Sequence, residues 1–170
     1  MSSDVQQALD RLQKKSDRPM QEFRDAIIEE LCALTDSSIA YFYAADYTEQ
    51  FLTLLGYSRS VMRACQIVDK PAVYKVSETG LWGDAVRERG PVITNNYATS
   101  KRPSKRGYPQ GHVEVNSHMN LPIFDDGRIV AIVGVGNKET AYTIGDAKKV
   151  EALMNAVWID FREALWAATW

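Results

Sequence analysis

Apolar positions along the chain follow two rhythms, one near 3.6 residues and one of strict alternation, and their order predicts the architecture. Val5, Leu9 and Leu12, with Ala8 beside them, form a short helical stripe over Val5–Lys15. Ser16-Asp17-Arg18-Pro19 then restarts a helix: Asp17 is a capping residue type, and Pro19 in the first turn lacks only a donor that a helix start leaves unused. Met20, Phe23, Ile27, Ile28, Leu31 and Leu34 continue at helical spacing. A break between the two stripes is expected, with one bent helix as the alternative.

The rhythm then changes. Ser38–Asp46 alternates, with Ile39, Tyr41 and Tyr43 on one face and Ala40, Phe42 and Ala44 on the other, and Phe51–Tyr57 follows a polar turn, so the two read as an antiparallel hairpin. Ser60–Asp69 fits a strand or a short helix. Thr79 is placed to cap a helix over Leu81–Arg89, which Gly90 and Pro91 terminate. Val92–Thr94 reads as a short strand. Met119–Phe124 and Arg128–Gly136 form a second hairpin around Asp125-Asp126-Gly127. Thr143-x-x-Asp146 has the form of a capping box, and opens a last helix with Val150, Leu153, Met154, Val157, Trp158, Phe161, Leu165 and Trp166 along one broad stripe. The sum is an α+β chain: about six antiparallel strands, with helices on the sheet faces and helical extensions at both ends.

Composition narrows the class. The 170 residues are enough for one domain with a substantial core, and 45% hydrophobic with 25% charged residues is ordinary for a globular protein. A formal net charge of −2 offers no overall attraction to nucleic acid or anionic membrane. Neither a start-of-chain signal peptide nor a membrane-spanning apolar run is visible, and the two cysteines, Cys32 and Cys65, lack C-x-x-C spacing. A reduced cytoplasmic setting is the expectation.

The segment from Gly80 to Asp146 carries a resemblance. It reads GLWGDAV, PVITNNY, PQGH, NLPIFDDGRIVAIVGVGNKE and YTIGD in that order. This order is similar to the GAF family of small-molecule sensor domains, especially those of bacterial signalling proteins. The resemblance implies a GAF/PAS-like six-stranded sheet, with residues 1–16 as a helical extension and 17–170 as the sensor domain with its signalling helix. It also implies a ligand held between one sheet face and a cover, here Leu81–Arg89 plus Asn95–Ser117. Many family members that bind cyclic nucleotides carry an Asn-Lys, Phe, Asp-Glu motif, in which Lys and Asp form a structural ion pair. This chain has Asn137-Lys138, Tyr142 and Asp146-Ala147, so the fold is retained while a cyclic nucleotide is not the expected ligand. The cysteines that related methionine sulfoxide reductases and phytochromes use late in the domain are also missing, because none follows Cys65. A non-catalytic module is expected.

Candidate ligand contacts are Tyr43, Trp82, Asn95, Asn96, Tyr97, His112, His118 and Asn120. Each has a structural alternative. Trp82 could wall the pocket or fill core between helix and sheet, and Tyr43 is open in the same way. Tandem asparagines accept left-handed geometry, which favours a turn role for Asn95 and Asn96. Either histidine could hydrogen-bond a ligand or ligate haem iron, but two isolated histidines make no metal site, so haem is not expected. Lys101-Arg102-Pro103-Ser104-Lys105-Arg106 concentrates four cations, readable as an anion site or as a solvated loop. The long last stripe, with Val5, Leu9, Leu12, Leu165, Trp166 and Trp170, suggests a homodimer through the terminal helices. A histidine kinase, a cyclase or another effector module is the expected output partner, with no nucleic acid and no membrane involved. The alternative is a GAF scaffold kept for dimerisation, its pocket filled by Tyr41, Tyr43, Trp82, Tyr97 and Met119.

Overall fold

The computed structural model describes residues 1–58, 73–107 and 113–166. Among these residues six strands, β1 (Ile39–Ala45), β2 (Phe51–Tyr57), β3 (Val73–Lys75), β4 (Val92–Thr94), β5 (His118–Asp125) and β6 (Arg128–Gly136), form one sheet in the order β3-β2-β1-β6-β5-β4. Every pairing is antiparallel. The helices are α1 (Ser3–Gln13), α2 (Met20–Thr35), α3 (Asp84–Glu88) and α4 (Ile144–Trp166), with short 3-10 turns at Val76–Glu78 and Leu81–Gly83. The α+β architecture expected from the apolar rhythm is the one observed. No helix among the described residues is long and apolar enough to cross a membrane.

Alternation in the strands assigns the two sheet faces. Phe42, Leu121 and Val133 point toward the side of the sheet that α2 and α4 cover and join Leu12, Phe23, Ile27, Leu31, Val150, Leu153 and Val157 in the main core. Tyr43, Leu52 and Ile132 point the other way and, with Ile129, which the register shift in the β5–β6 pairing turns to that face, form a smaller second core with Val76 and Val86 of the covering segments. The main core carries most of the burial, and the smaller one lies where the cover meets the sheet.

Local signals explain several boundaries. Asp46 organises the first hairpin turn: its carboxylate accepts from the N–H groups of Thr48, Gln50 and Phe51 at 3.1, 2.8 and 2.8 Å. Asp126 and Gly127, at φ 49° and 73°, make the left-handed pair that closes the β5–β6 hairpin. Thr143 and Asp146 form the expected reciprocal cap, with Thr143 N–H donating to Asp146 Oδ2 at 2.8 Å and Asp146 N–H to Thr143 Oγ1 at 3.2 Å. The break between the first two helices is also present.

Two expectations change, and one strand appears that the apolar pattern did not predict. The strand beside β2 is Val73–Lys75, three residues long, and the segment read as strand or helix at 60–69 lies outside the described residues. The left-handed residue that ends α3 is Arg89 (φ 53°), not Gly90. Its guanidinium is held by the Glu49 carboxylate and by Gly127 O at 2.7 Å, and lies 5.3 Å from the centre of the Phe124 ring, which offsets the cost of that conformation. Thr79 does not cap α3; its hydroxyl donates to Val76 O at 2.7 Å and receives Arg87 Nη1 at 3.0 Å.

The stripe expected to meet a second copy is largely used inside the chain. Val5, Leu9, Leu12 and Leu165 are all buried. Helices α2 and α4 lie against the sheet, and α1 packs on these two helices, covering apolar surface that the sheet does not reach. Arg11 forks onto the buried Glu30 with two 2.8 Å bonds, Lys149 reaches Asp4 at 2.5 Å, and Arg24 donates to Leu165 O at 2.9 Å. Helix α1 thus contributes Val5, Ala8, Leu9 and Leu12 to the main core. Trp170 and the Trp166 side chain lie outside the described residues.

Candidate functional site

The sheet face away from the long helices carries a row of three paired residues: Tyr41 opposite Gly134, and Gly134 opposite Asn120. Tyr41 lies flat across β6 at Gly134, where a Cβ atom would sit 2.1 Å from its Cζ. Its hydroxyl donates to Asn120 Oδ1 at 2.5 Å, and Asn120 Nδ2 lies 2.7 Å from His118 Nδ1. Because Asn120 Oδ1 accepts from the phenol, the amide nitrogen must be the donor toward the ring. His118 Nδ1 is then the acceptor, and the imidazole proton resides on Nε2. Burial, then the nearby Arg102 guanidinium, push His118 down to about 4, with the Asp84 carboxylate opposing them only in part. His118 is therefore neutral at pH 7. Burial also raises the Tyr41 phenol despite its bond to Asn120, so it stays protonated.

Beside this polar row the face turns aromatic. Tyr43 stacks on Trp82 with centroids 5.0 Å apart and planes 18° apart. Tyr74 stands edge-on to both, at 5.6 and 5.4 Å, and Tyr41 is edge-on to Tyr43 at 5.7 Å. Such offset and perpendicular pairs are the favoured aromatic arrangements. The two readings of Trp82 meet here: it is a cover residue, and it packs directly on the sheet aromatics.

The cover is tied together by a buried carboxylate. Asp84, 5% exposed, receives Arg87 Nε and Nη2 at 2.9 and 2.6 Å on one oxygen, and Ser104 Oγ at 2.6 Å and Arg102 Nη1 at 3.4 Å on the other. Burial alone would raise this carboxyl, but the bonds from Ser104 and Arg87 and the two guanidinium charges hold it below its ordinary value. Arg87 also donates to Val76 O, Thr79 Oγ1 and Gly80 O. The basic run at 101–106 is thus largely engaged by the protein itself: Arg102 also pairs with Glu88, Lys105 donates to Ala98 O at 2.9 Å, and Arg106 reaches Glu78 O and Ser77 O at 3.4 Å. Sequence reasoning passed over Asp84 and Arg87, although their i,i+3 spacing was a usable signal.

The remaining candidates divide. Asn95 clamps the backbone of Tyr142, and Asn96 Oδ1 accepts from Thr99 N–H at 3.2 Å in a local turn, so both asparagines serve structure. Tyr97 places its ring centre 5.8 Å from that of His118, and Lys105 Nζ lies over the Tyr97 ring, 4.8 Å from its centre. His118, Asn120, Tyr43 and Trp82 come together on the covered face, whereas His112 lies outside the described residues. Asn95, Asn96 and Tyr97, with Lys105, Gly107 and Glu114 among others, also line an outer cleft of about 580 Å³. Thr94 is a residue the sequence did not flag. It pairs directly with His118 across β4 and β5, is 6% exposed, and its Oγ1 has no hydrogen-bond partner among the described residues.

At the end of β6, Lys138 Nζ meets Asp146 Oδ1 at 2.8 Å, and Tyr142 Oη lies 2.7 Å from Ser37 Oγ. This is the ion pair that the Asn-Lys motif implied. A model of the GAF domain matches residues 17–159. The chain belongs to the GAF domain family.

This GAF domain is 42% identical over 152 residues to the methyl sulfide methyltransferase-associated sensor of Methanosarcina acetivorans, an alignment that covers 89% of the chain and 15% of that relative. The chain therefore spans a small part of the length of the curated sensor it matches. Among solved structures it is similar to the GAF domain of an Acinetobacter phosphoenolpyruvate-protein phosphotransferase, with a TM-score of 0.66 and 15% identity, covering 96% of this chain and 98% of that one. It is also similar to the free methionine-R-sulfoxide reductase of Neisseria meningitidis, with a TM-score of 0.59 and 17% identity, covering 90% and 89%. At such identities these two likenesses speak for the fold alone.

Proposed function

We propose that this GAF domain is a sensory module that binds a small molecule between the sheet and its cover and relays occupancy through α4. The observation that carries the reading is the hydrogen-bonded chain from the half-buried Tyr41 through the buried Asn120 to the buried His118. Three polar side chains arranged in one hydrogen-bonded direction on a sheet face, beside three further aromatic rings, have the composition of a small-ligand site: apolar walls with a few oriented polar groups. Similarity to a curated sensor supports the same role. The module is read as non-catalytic, because no cysteine follows Cys65 to support a reductase chemistry. A cytoplasmic location and an effector such as a histidine kinase or a cyclase complete the proposal.

A thermal-shift screen of metabolites and nucleotides tests it. A sensor gains stability by mass action from some ligand; a chain that responds to none refutes the reading. The second reading, an interaction module with a filled pocket, draws on one observation: Tyr43, Tyr74 and Trp82 already pack on one another. Such a module shows no response in the screen and a concentration-dependent dimer in sedimentation.

A further inference from the structure

We propose that Thr94 and His118 form a two-point polar subsite for a planar acceptor oxygen, a carboxylate or an amide carbonyl, on a ligand with an apolar body; the inference rests on the ligand-binding reading above. The geometry starts from the sheet. Directly opposed residues of an antiparallel pair point to the same face, and Thr94 opposes His118, while their neighbours Ile93 and Met119 pack with the main helical core. Thr94 Oγ1 and the imidazole therefore lie side by side on the covered face.

Both groups are prepared to donate. The Tyr41–Asn120–His118 chain commits Nδ1 as an acceptor and leaves the proton on Nε2, so the ring offers an N–H from a neutral group. Thr94 Oγ1 is buried without a partner among the described residues. A buried hydroxyl left unpaired costs about 1–3 kcal/mol, and a ligand oxygen accepting from it would remove that cost. Arg102 and Asp84 lie close enough to act on His118 electrostatically, and their charges oppose each other there, so the site does not demand a full negative charge. An acceptor oxygen satisfies both donors. A ligand group with only donors could donate to the Thr94 hydroxyl but would leave His118 Nε2–H without an acceptor.

The test uses the full chain with benzoate, benzamide and benzylamine as probes, read by thermal shift and by nitrogen NMR of histidine-labelled protein, with His118→Gln assigning the signals. In the free protein the His118 spectrum should show Nδ1 unprotonated and Nε2 protonated; a proton on Nδ1 overturns the proposal without any ligand. Benzoate, benzamide or both should raise the melting temperature and move the Nε2 signal, and which of them does so distinguishes carboxylate from carbonyl. Benzylamine should do neither, and equal binding of benzylamine, or no response to either oxygen probe, overturns the proposal. Thr94→Val is the second variant: it should leave the free protein as stable as before or more so, yet weaken the oxygen probe about tenfold, the loss of one hydrogen bond. Unchanged affinity in Thr94→Val overturns the subsite. If a metabolite from the screen still binds in that variant, the sensor reading survives; if nothing binds at all, both fall.

Discussion

Asn95 holds Tyr142 by its backbone: the side-chain amide donates to Tyr142 O at 3.1 Å and accepts from Tyr142 N–H at 2.7 Å. Asn95 directly follows Thr94 at the end of β4, and Tyr142 directly precedes the Thr143–Asp146 cap of α4. One side chain thus joins the covered face of the sheet to the start of the last helix. Asn95→Ala should lower stability by about 1–3 kcal/mol, because two backbone groups lose their partners. It should also speed hydrogen exchange in the first turn of α4 more than in α2. Equal exchange in both helices would show that the clamp does not govern α4.

Gly134 is needed for the space above it, since a Cβ there meets the Tyr41 ring at 2.1 Å. Gly134→Ala should cost about 1–3 kcal/mol through overpacking and should displace Tyr41 from Asn120. In a Tyr41→Ala background, where the ring is gone, the same substitution should cost much less. Urea unfolding of the four proteins measures the coupling, and simple additivity refutes it.

Stability should depend on pH through His118. Its ordinary value is 6.5 and its folded value about 4, so between these values the unfolded chain binds the proton more readily. The contribution is therefore complete above pH 6.5, falls as the pH drops, and is lost at about pH 4. The gap corresponds to about 3 kcal/mol. Denaturation followed from pH 7 to pH 4 should show this slope, and His118→Gln should flatten it. An equal slope in the variant would assign the effect elsewhere.

Lys138 and Asp146 form a largely buried ion pair, 13% and 11% exposed at the side chain. Burial alone would raise the Asp146 carboxyl, but hydrogen bonds from Lys138 and Thr143 hold it below its ordinary value. Lys138→Met leaves the carboxylate with Thr143 alone and should cost about 1–3 kcal/mol. Thermal unfolding at neutral pH checks this, and at a pH low enough to protonate Asp146 the difference from the parent protein should shrink.

Short-range features were legible because their causes lie within a few residues of one another. The helical stripe of α2, the Asp126-Gly127 turn and the Thr143–Asp146 box follow from periodicity, backbone preference and local hydrogen bonding, and all three stand in the structure. Local signals misled where a distant partner altered the balance. Gly90 is the residue that conformational preference selects for the end of α3, yet Arg89 takes the left-handed place because Glu49 and Gly127 hold its side chain. Val73–Lys75 is too short to show an alternation, and becomes a strand only because β2 lies beside it.

The sequence by itself determined the α+β class, the order of the helices and of the strands other than β3, and the two opposite faces of β1, since each is written in local periodicity and turn chemistry. Only the tertiary structure decided which polar groups share the covered face. Strand pairing sets Tyr41 beside Gly134 and Asn120, and Thr94 beside His118. Folding also brings Asp84 to Ser104 and Asn95 to Tyr142. Those meetings depend on register and chain path over tens of residues, and no local preference of the amino acids involved specifies them.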